Sequence, residues 1–122
     1  MINIKPIIYK ELEKVAENVT DTYPDDWENF PVVIFLEEEN KPYEIYGDKE
    51  QKSNIRYKVD IFNNDSTSAL AIKIDEIFSN LGLMRTSSLD VPDPSHLRHK
   101  TMRFEGIVDL NSELVFRQRM EG

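Results

Sequence analysis

The clearest hydrophobic pattern in the chain runs from Ser53 to Gly82. Ile55, Tyr57, Val59 and Ile61 alternate with Arg56, Lys58 and Asp60, the period of two that gives a strand one buried face and one wet face. The short polar residues Asn63-Asn64-Asp65-Ser66 follow, and their side chains suit the free amides of a first helical turn. Leu70, Ile74, Ile77, Phe78 and Leu81 then recur at helical spacing, with Lys73 and Glu76 opposite and Gly82 where a left-handed C-cap is expected. This stretch predicts an amphipathic strand, a capped turn and an amphipathic helix, belonging to an antiparallel sheet covered on one side.

Upstream, Ile4, Ile8, Leu12, Val15 and Val19 form one stripe and predict a helix from Ile4 to about Asn18, with Asn3 as its cap and Pro6 in its first turn. Tyr23 to Pro31 reads as a loop, because two prolines hold their neighbours extended, and its Tyr23, Trp27 and Phe30 are expected to plug one end of the core. Val32 to Leu36 is a short β-branched and aromatic run that predicts a central strand. Asn40-Lys41-Pro42 predicts a turn, Tyr43 to Tyr46 an antiparallel return, and Gly47 to Lys52 a polar connection.

Downstream, Leu83 to Val91 predicts an edge strand ended by Pro92-Asp93-Pro94, and a loop through His96 follows. From Lys100, Met102, Phe104, Gly106, Val108 and Leu110 alternate with polar neighbours as a further strand. Beyond about residue 111, Leu114 to Arg117 fits either a returning strand or a C-terminal arm. The fold class predicted is α+β, a mainly antiparallel sheet of four to six strands with two helices packed on one face. With 122 residues, the chain is expected to form a single domain.

Charge changes the picture of what such a domain meets. Residues 1–50 hold five Lys/Arg against thirteen Asp/Glu, while residues 51–122 hold ten of each, so the whole net charge of −8 lies in the first half. A nucleic-acid clamp needs the opposite balance. The absence of cysteine removes disulfides, zinc ribbons and thiol catalysis. No apolar run reaches the ~20 residues of a membrane span, and the N-terminus lacks a basic flank with an apolar core.

Candidate chemistry is sparse. His96 and His99 form a His-x-x-His pair in a predicted loop, which gives no reason for three or four ligands to converge on a metal. Asp25-Asp26 and Glu37-Glu38-Glu39 are adjacent carboxylates on a solvated surface rather than two carboxyls facing one cleft. Glycines at 47, 82, 106 and 122 make no phosphate cradle, and no serine stands in a nucleophile elbow. The expectation is a protein that is not an enzyme and carries no cofactor.

The order of elements, together with Phe30-Pro31-Val32-Val33-Ile34, Arg56-Tyr57-Lys58-Val59-Asp60-Ile61-Phe62, the Ser68-Ala69-Leu70-Ala71-Ile72 helix and the late Met102-Arg103-Phe104 strand, resembles the tail-completion (tail-terminator, or head-tail joining) proteins of long-tailed bacteriophages and prophages. The match is carried best by Tyr57-Lys58-Val59-Asp60-Ile61-Phe62 before a helix entered after a polar cap. The resemblance implies a structural protein that forms a ring, typically of six copies, on the tail tube. Such a ring ends tail polymerisation and joins the tail to the head connector or adaptor protein. The implied partners are further copies of the chain, the tail-tube protein and the connector, with DNA only passing through the lumen and no membrane. The implied location is the host cytoplasm during assembly and then the virion.

A ring requires two different patches on each subunit. The charge imbalance suggests that the acidic stretch, with Glu37, Glu38, Glu39, Asp48 and Glu50, meets Arg98, Lys100 and Arg103 of the neighbouring copy, or else lines the lumen. Two other readings stand beside it: another head-tail adaptor or neck protein, and an acidic cytoplasmic module that mimics DNA and inhibits a host enzyme.

Overall fold

A computed structural model describes residues 1–109 of the chain; the alternatives raised for the segment after 111 lie outside the described residues. The elements are α1 (Lys5–Leu12), β1 (Asn18–Thr20), β2 (Val32–Tyr46), β3 (Lys49–Asn63), α2 (Ser68–Asn80), β4 (Met84–Val91) and β5 (Arg98–Asp109). They build one five-stranded sheet in the order β1-β2-β3-β5-β4, with every neighbour antiparallel except β1 against β2. This is the predicted α+β class, with both helices packed on the sheet.

The sheet centres on β3 because its alternation is the cleanest. Ile55, Tyr57, Val59 and Ile61 are completely buried against Ile8 and Leu12 of α1 and Ile74 and Phe78 of α2. Each such side chain contributes about 1.5–3 kcal/mol by leaving water. Phe78 stacks on Phe104 of β5 with ring centroids 4.2 Å apart and planes 6° from parallel, which ties the second helix to the strand beside β3.

The C-terminus of α2 closes as predicted, in a Schellman motif. Gly82 N–H donates to Ser79 O at 2.9 Å and Leu83 N–H to Phe78 O at 2.9 Å, with Gly82 at φ 88°. Its N-terminus differs from the predicted cap. The first-turn boundary residue is Thr67, without a side-chain cap bond, while Ser66 Oγ accepts from Ser68 N–H at 3.2 Å and Asp65 Oδ1 from Ser66 N–H at 2.8 Å. The polar run therefore folds on itself as much as on the helix.

Three boundaries differ from the sequence pattern, each for a local reason. Helix α1 stops at Leu12, the chain tightens through Val15 N–H to Leu12 O at 3.0 Å, and Asn18–Thr20 becomes a short parallel partner of β2. Val19 stays buried in either geometry, so its place in the apolar stripe does not report the helix end. The predicted turn at Asn40-Lys41-Pro42 is instead the middle of a continuous β2, with register shifts around Glu37/Glu39 and Pro42/Glu44. Bulges and an open edge are where a strand tolerates proline.

The true turn is Gly47-Asp48, between paired Tyr46 and Lys49. Gly47 has φ 65° and, among the described residues, no non-glycine residue has positive φ, which is the glycine-first arrangement of a two-residue hairpin. Gly47 to Lys52 is thus turn and strand rather than a polar connection. Strand β5 likewise begins at Arg98, two residues before the alternation shows it.

Candidate interaction surface

Both helices cover the face bearing Ile55, Tyr57, Val59 and Ile61. The other face presents the remaining side chains of β3 with their cross-strand neighbours on β2 and β5, since residues directly opposite share a face. From one end to the other, β3 and β5 set Phe62 against His99, Asp60 against Thr101, Lys58 against Arg103, Arg56 against Glu105 and Asn54 against Ile107.

Aromatic rings cap the first end. His99 stacks on Phe62 at 4.0 Å, Phe62 meets Trp27 edge-on at 5.2 Å, and Trp27 meets Tyr23 at 5.8 Å. Val32, opposite Phe62 in the register, is fully buried here although it lies outside the main core. The loop aromatics therefore do not plug the core as expected. Trp27 shelters the helix-free face, Phe30 is half-buried, and Tyr23 is 80% exposed.

Asp60 is the polar node of this end. Its Oδ1 accepts from Thr101 Oγ1 at 2.6 Å and lies 2.8 Å from His99 Nε2, and Lys58 Nζ approaches its other oxygen at 3.4 Å. Burial raises the Asp60 carboxyl, but the hydrogen bonds from Thr101 and His99 and the Lys58 charge outweigh it and hold it below the ordinary aspartate range. His99 is thus a strand residue with a structural partner, and His96 stands apart in the loop before it. Among the described residues no group of three or more His, Asp or Glu side chains is arranged to hold a metal ion.

The middle of the face is an ion-pair network. Arg103 Nε donates to Glu38 at 3.0 Å, Arg56 reaches Glu38 and Glu39 at 3.3 Å each, and Asn54 donates to Glu105 at 3.2 Å. The network forms because the bulge near Glu38 turns two consecutive glutamates toward one face, where β3 and β5 supply an arginine each.

The expected contact residues are therefore largely occupied within the chain. Glu38, Glu39 and Arg103 are in the network, and Lys100 pairs with Asp90 at 2.9 Å. Glu37 accepts from the buried Tyr57 hydroxyl at 2.8 Å; burial first, then this bond and the Glu37 charge, push the phenol above its ordinary value. Glu50 lies 3.1 Å from the Met1 amine, whose hydrogen bond is the chief reason its carboxyl is lowered. Asp48 sits in the hairpin turn and Arg98 at the opposite end of β3, beside Asn63.

The residues that the sequence pattern passed over are on the β2–β3 hairpin. Every residue from Lys41 to Lys49 is exposed. Tyr43, Ile45 and Tyr46 are 62%, 62% and 80% exposed, on a ribbon that runs past Lys52, where the described pairing with β5 ends. Taking Asn40-Lys41-Pro42 as a turn hid this, because it placed Tyr43 to Tyr46 back against the core. Arg56 and Glu105 were visible only as the wet positions of two alternating strands.

A scan against protein-family models and a search of curated proteins find no match for the chain. No helix among the described residues is long and apolar enough to cross a membrane.

Proposed function

We propose that the chain is a structural subunit that acts by docking, with the β2–β3 hairpin as its contact arm. The observation that carries this reading is the exposure of Tyr43, Ile45 and Tyr46 on the projecting ribbon. Three large side chains held in water on one hairpin, Ile45 and Tyr46 on its opposite faces, cost solubility, and exposed apolar surface of this kind suits an interaction site. In line with the resemblance to tail-completion proteins, the docking partners are further copies of the chain in a ring, the tail tube and the head connector, and the protein ends tail growth without a catalytic step.

The internal pairing of Glu38 and Glu39 with Arg56 and Arg103 moves the contact away from the charged stretch and toward the hairpin. The same pairing weighs against a DNA mimic, which needs carboxylates left free for a basic partner. The test is to add purified protein to a polymerising tail-tube protein of a long-tailed bacteriophage. Tubes bearing a ring at one end and no longer growing support the proposal; tubes that elongate unchanged, with the protein unbound, overturn it.

A further inference from the structure

A sheet can grow only at its edges, and the two edges of this one differ. On one side, the part of β2 left uncovered by β1 carries Glu37, Glu38, Glu39 and Pro42, the charges and proline that blunt an edge against pairing. On the other side, Thr86-Ser87-Ser88-Leu89 of β4 has no charge, proline or glycine. Among the described residues no strand lies outside β4.

The register of β4 on β5 assigns its faces. Arg85 opposite Phe104 and Asp90 opposite Lys100 project on the helix side, while Met84, Ser87, Leu89 and Val91 oppose Glu105, Arg103, Thr101 and His99 on the other. Thr86 is the extra residue of the bulge between Arg85 and Ser87, and its hydroxyl reaches Arg103 O at 3.4 Å. With Thr86 set aside, the strand is self-complementary about Ser88. Ser87 and Leu89, Arg85 and Asp90, and Met84 and Val91 stand at equal steps on either side, each pair on a common face.

We propose that two copies of the chain pair through β4, antiparallel about a two-fold axis at Ser88, with Arg85 of each copy facing Asp90 of the other. The contact makes one continuous sheet of the two, sets opposite charges across both ends and brings Met84, 75% exposed, against Val91 of the second copy. Arg85 keeps its Asp75 contact at 3.6 Å and Asp90 its Lys100 contact at 2.9 Å, so each charge is shared rather than moved. A two-fold contact closes at two copies, so this inference does not rest on the ring reading.

The chain has no cysteine, which makes the axis directly testable in the full-length protein. Facing residues of an antiparallel pair have Cα atoms about 4.5–5.5 Å apart, within disulfide reach. Ser88→Cys should give a covalent dimer under mild oxidation at least tenfold faster than Lys73→Cys on the exposed side of α2. By sedimentation equilibrium, Arg85→Asp and Asp90→Arg should each weaken the dimer about tenfold or more, and the two together should restore it. Rescue by the double exchange excludes misfolding and loss of the Asp75 and Lys100 contacts as causes, since neither is remade. A wild-type chain that stays monomeric at high concentration, cross-linking at the Lys73→Cys rate, or a double exchange as weak as the singles each overturns the proposal.

Discussion

Glu38 and Arg103 are 65 residues apart in sequence and meet at 3.0 Å on the helix-free face of the sheet. Arg56 binds the same glutamate from the strand between them, so two cations share one carboxylate and Glu39 completes the balance. An exposed single pair contributes little, about 0–1 kcal/mol. Arg103→Ala is therefore expected to cost about 1 kcal/mol or less in urea unfolding, and Arg56→Ala more, because it touches both glutamates. A double-mutant cycle between Arg103 and Glu38 should give a coupling that shrinks between low and high salt.

Asp60 sets a pH dependence whose sign follows from its surroundings. Its carboxyl is lower in the folded chain than the ordinary aspartate value, through Thr101, His99 and Lys58 acting against burial. The stability it confers is fully present above the unfolded value and is lost as pH falls through the folded one. Urea midpoints of the wild type should fall on acidification below about pH 4, and Asp60→Asn should flatten part of that slope. The same substitution should cost about 1–3 kcal/mol at neutral pH, since Thr101 and His99 lose a charged acceptor.

Gly106 occupies a position where the alternation of β5 calls for a core side chain. A Cβ there would lie 2.8 Å from Gly82 O and 2.9 Å from Leu83 Cδ2. The oxygen belongs to backbone fixed by the Schellman motif, so it cannot give way cheaply. Gly106→Ala is expected to destabilise by about 1–3 kcal/mol, read as a lower thermal midpoint. Gly82→Ala, which meets no atom within 4 Å but demands φ 88°, should cost about 1 kcal/mol.

The amphipathic elements were legible in sequence to the degree that their surroundings were regular. Strand β3 and helix α2 were readable because each buries one face against a layer, and burial imposes the period. The position of Gly82 was readable because only its backbone conformation closes the helix. β1 was not, since three residues carry no period and Val19 serves helix and strand equally. The hairpin was misread because proline ends most strands, whereas the bulges beside Pro42 and the open edge there let β2 run on.

The surface was less legible than the fold, and for a different reason. Glu38 and Arg103 were both singled out by charge, but which carboxylate meets which cation is set by β2, β3 and β5 lying side by side. That adjacency depends on where the hairpin turns. Once Gly47-Asp48 is the turn, the acidic stretch faces the chain's own arginines and the aromatic residues are left outside.

The hairpin gives the prediction that separates scaffold from function most sharply. Tyr43, Ile45 and Tyr46 are at least 62% exposed, and the ribbon they decorate extends beyond the described end of β5. Replacing exposed side chains away from the core usually changes stability by no more than about 0.5 kcal/mol per site. The triple variant Tyr43→Ser/Ile45→Ser/Tyr46→Ser should therefore unfold within about 1–2 kcal/mol of wild type and remain in solution at higher concentration. If the hairpin is the contact arm, the same variant should lose binding to its assembly partners by at least a hundredfold, because buried aromatic anchors carry most of an interface's energy. Circular dichroism melts and co-sedimentation with tail tubes read the two halves separately. A variant that is equally stable and still binds would move the contact off the hairpin, and one that unfolds would show that the three side chains hold the ribbon itself.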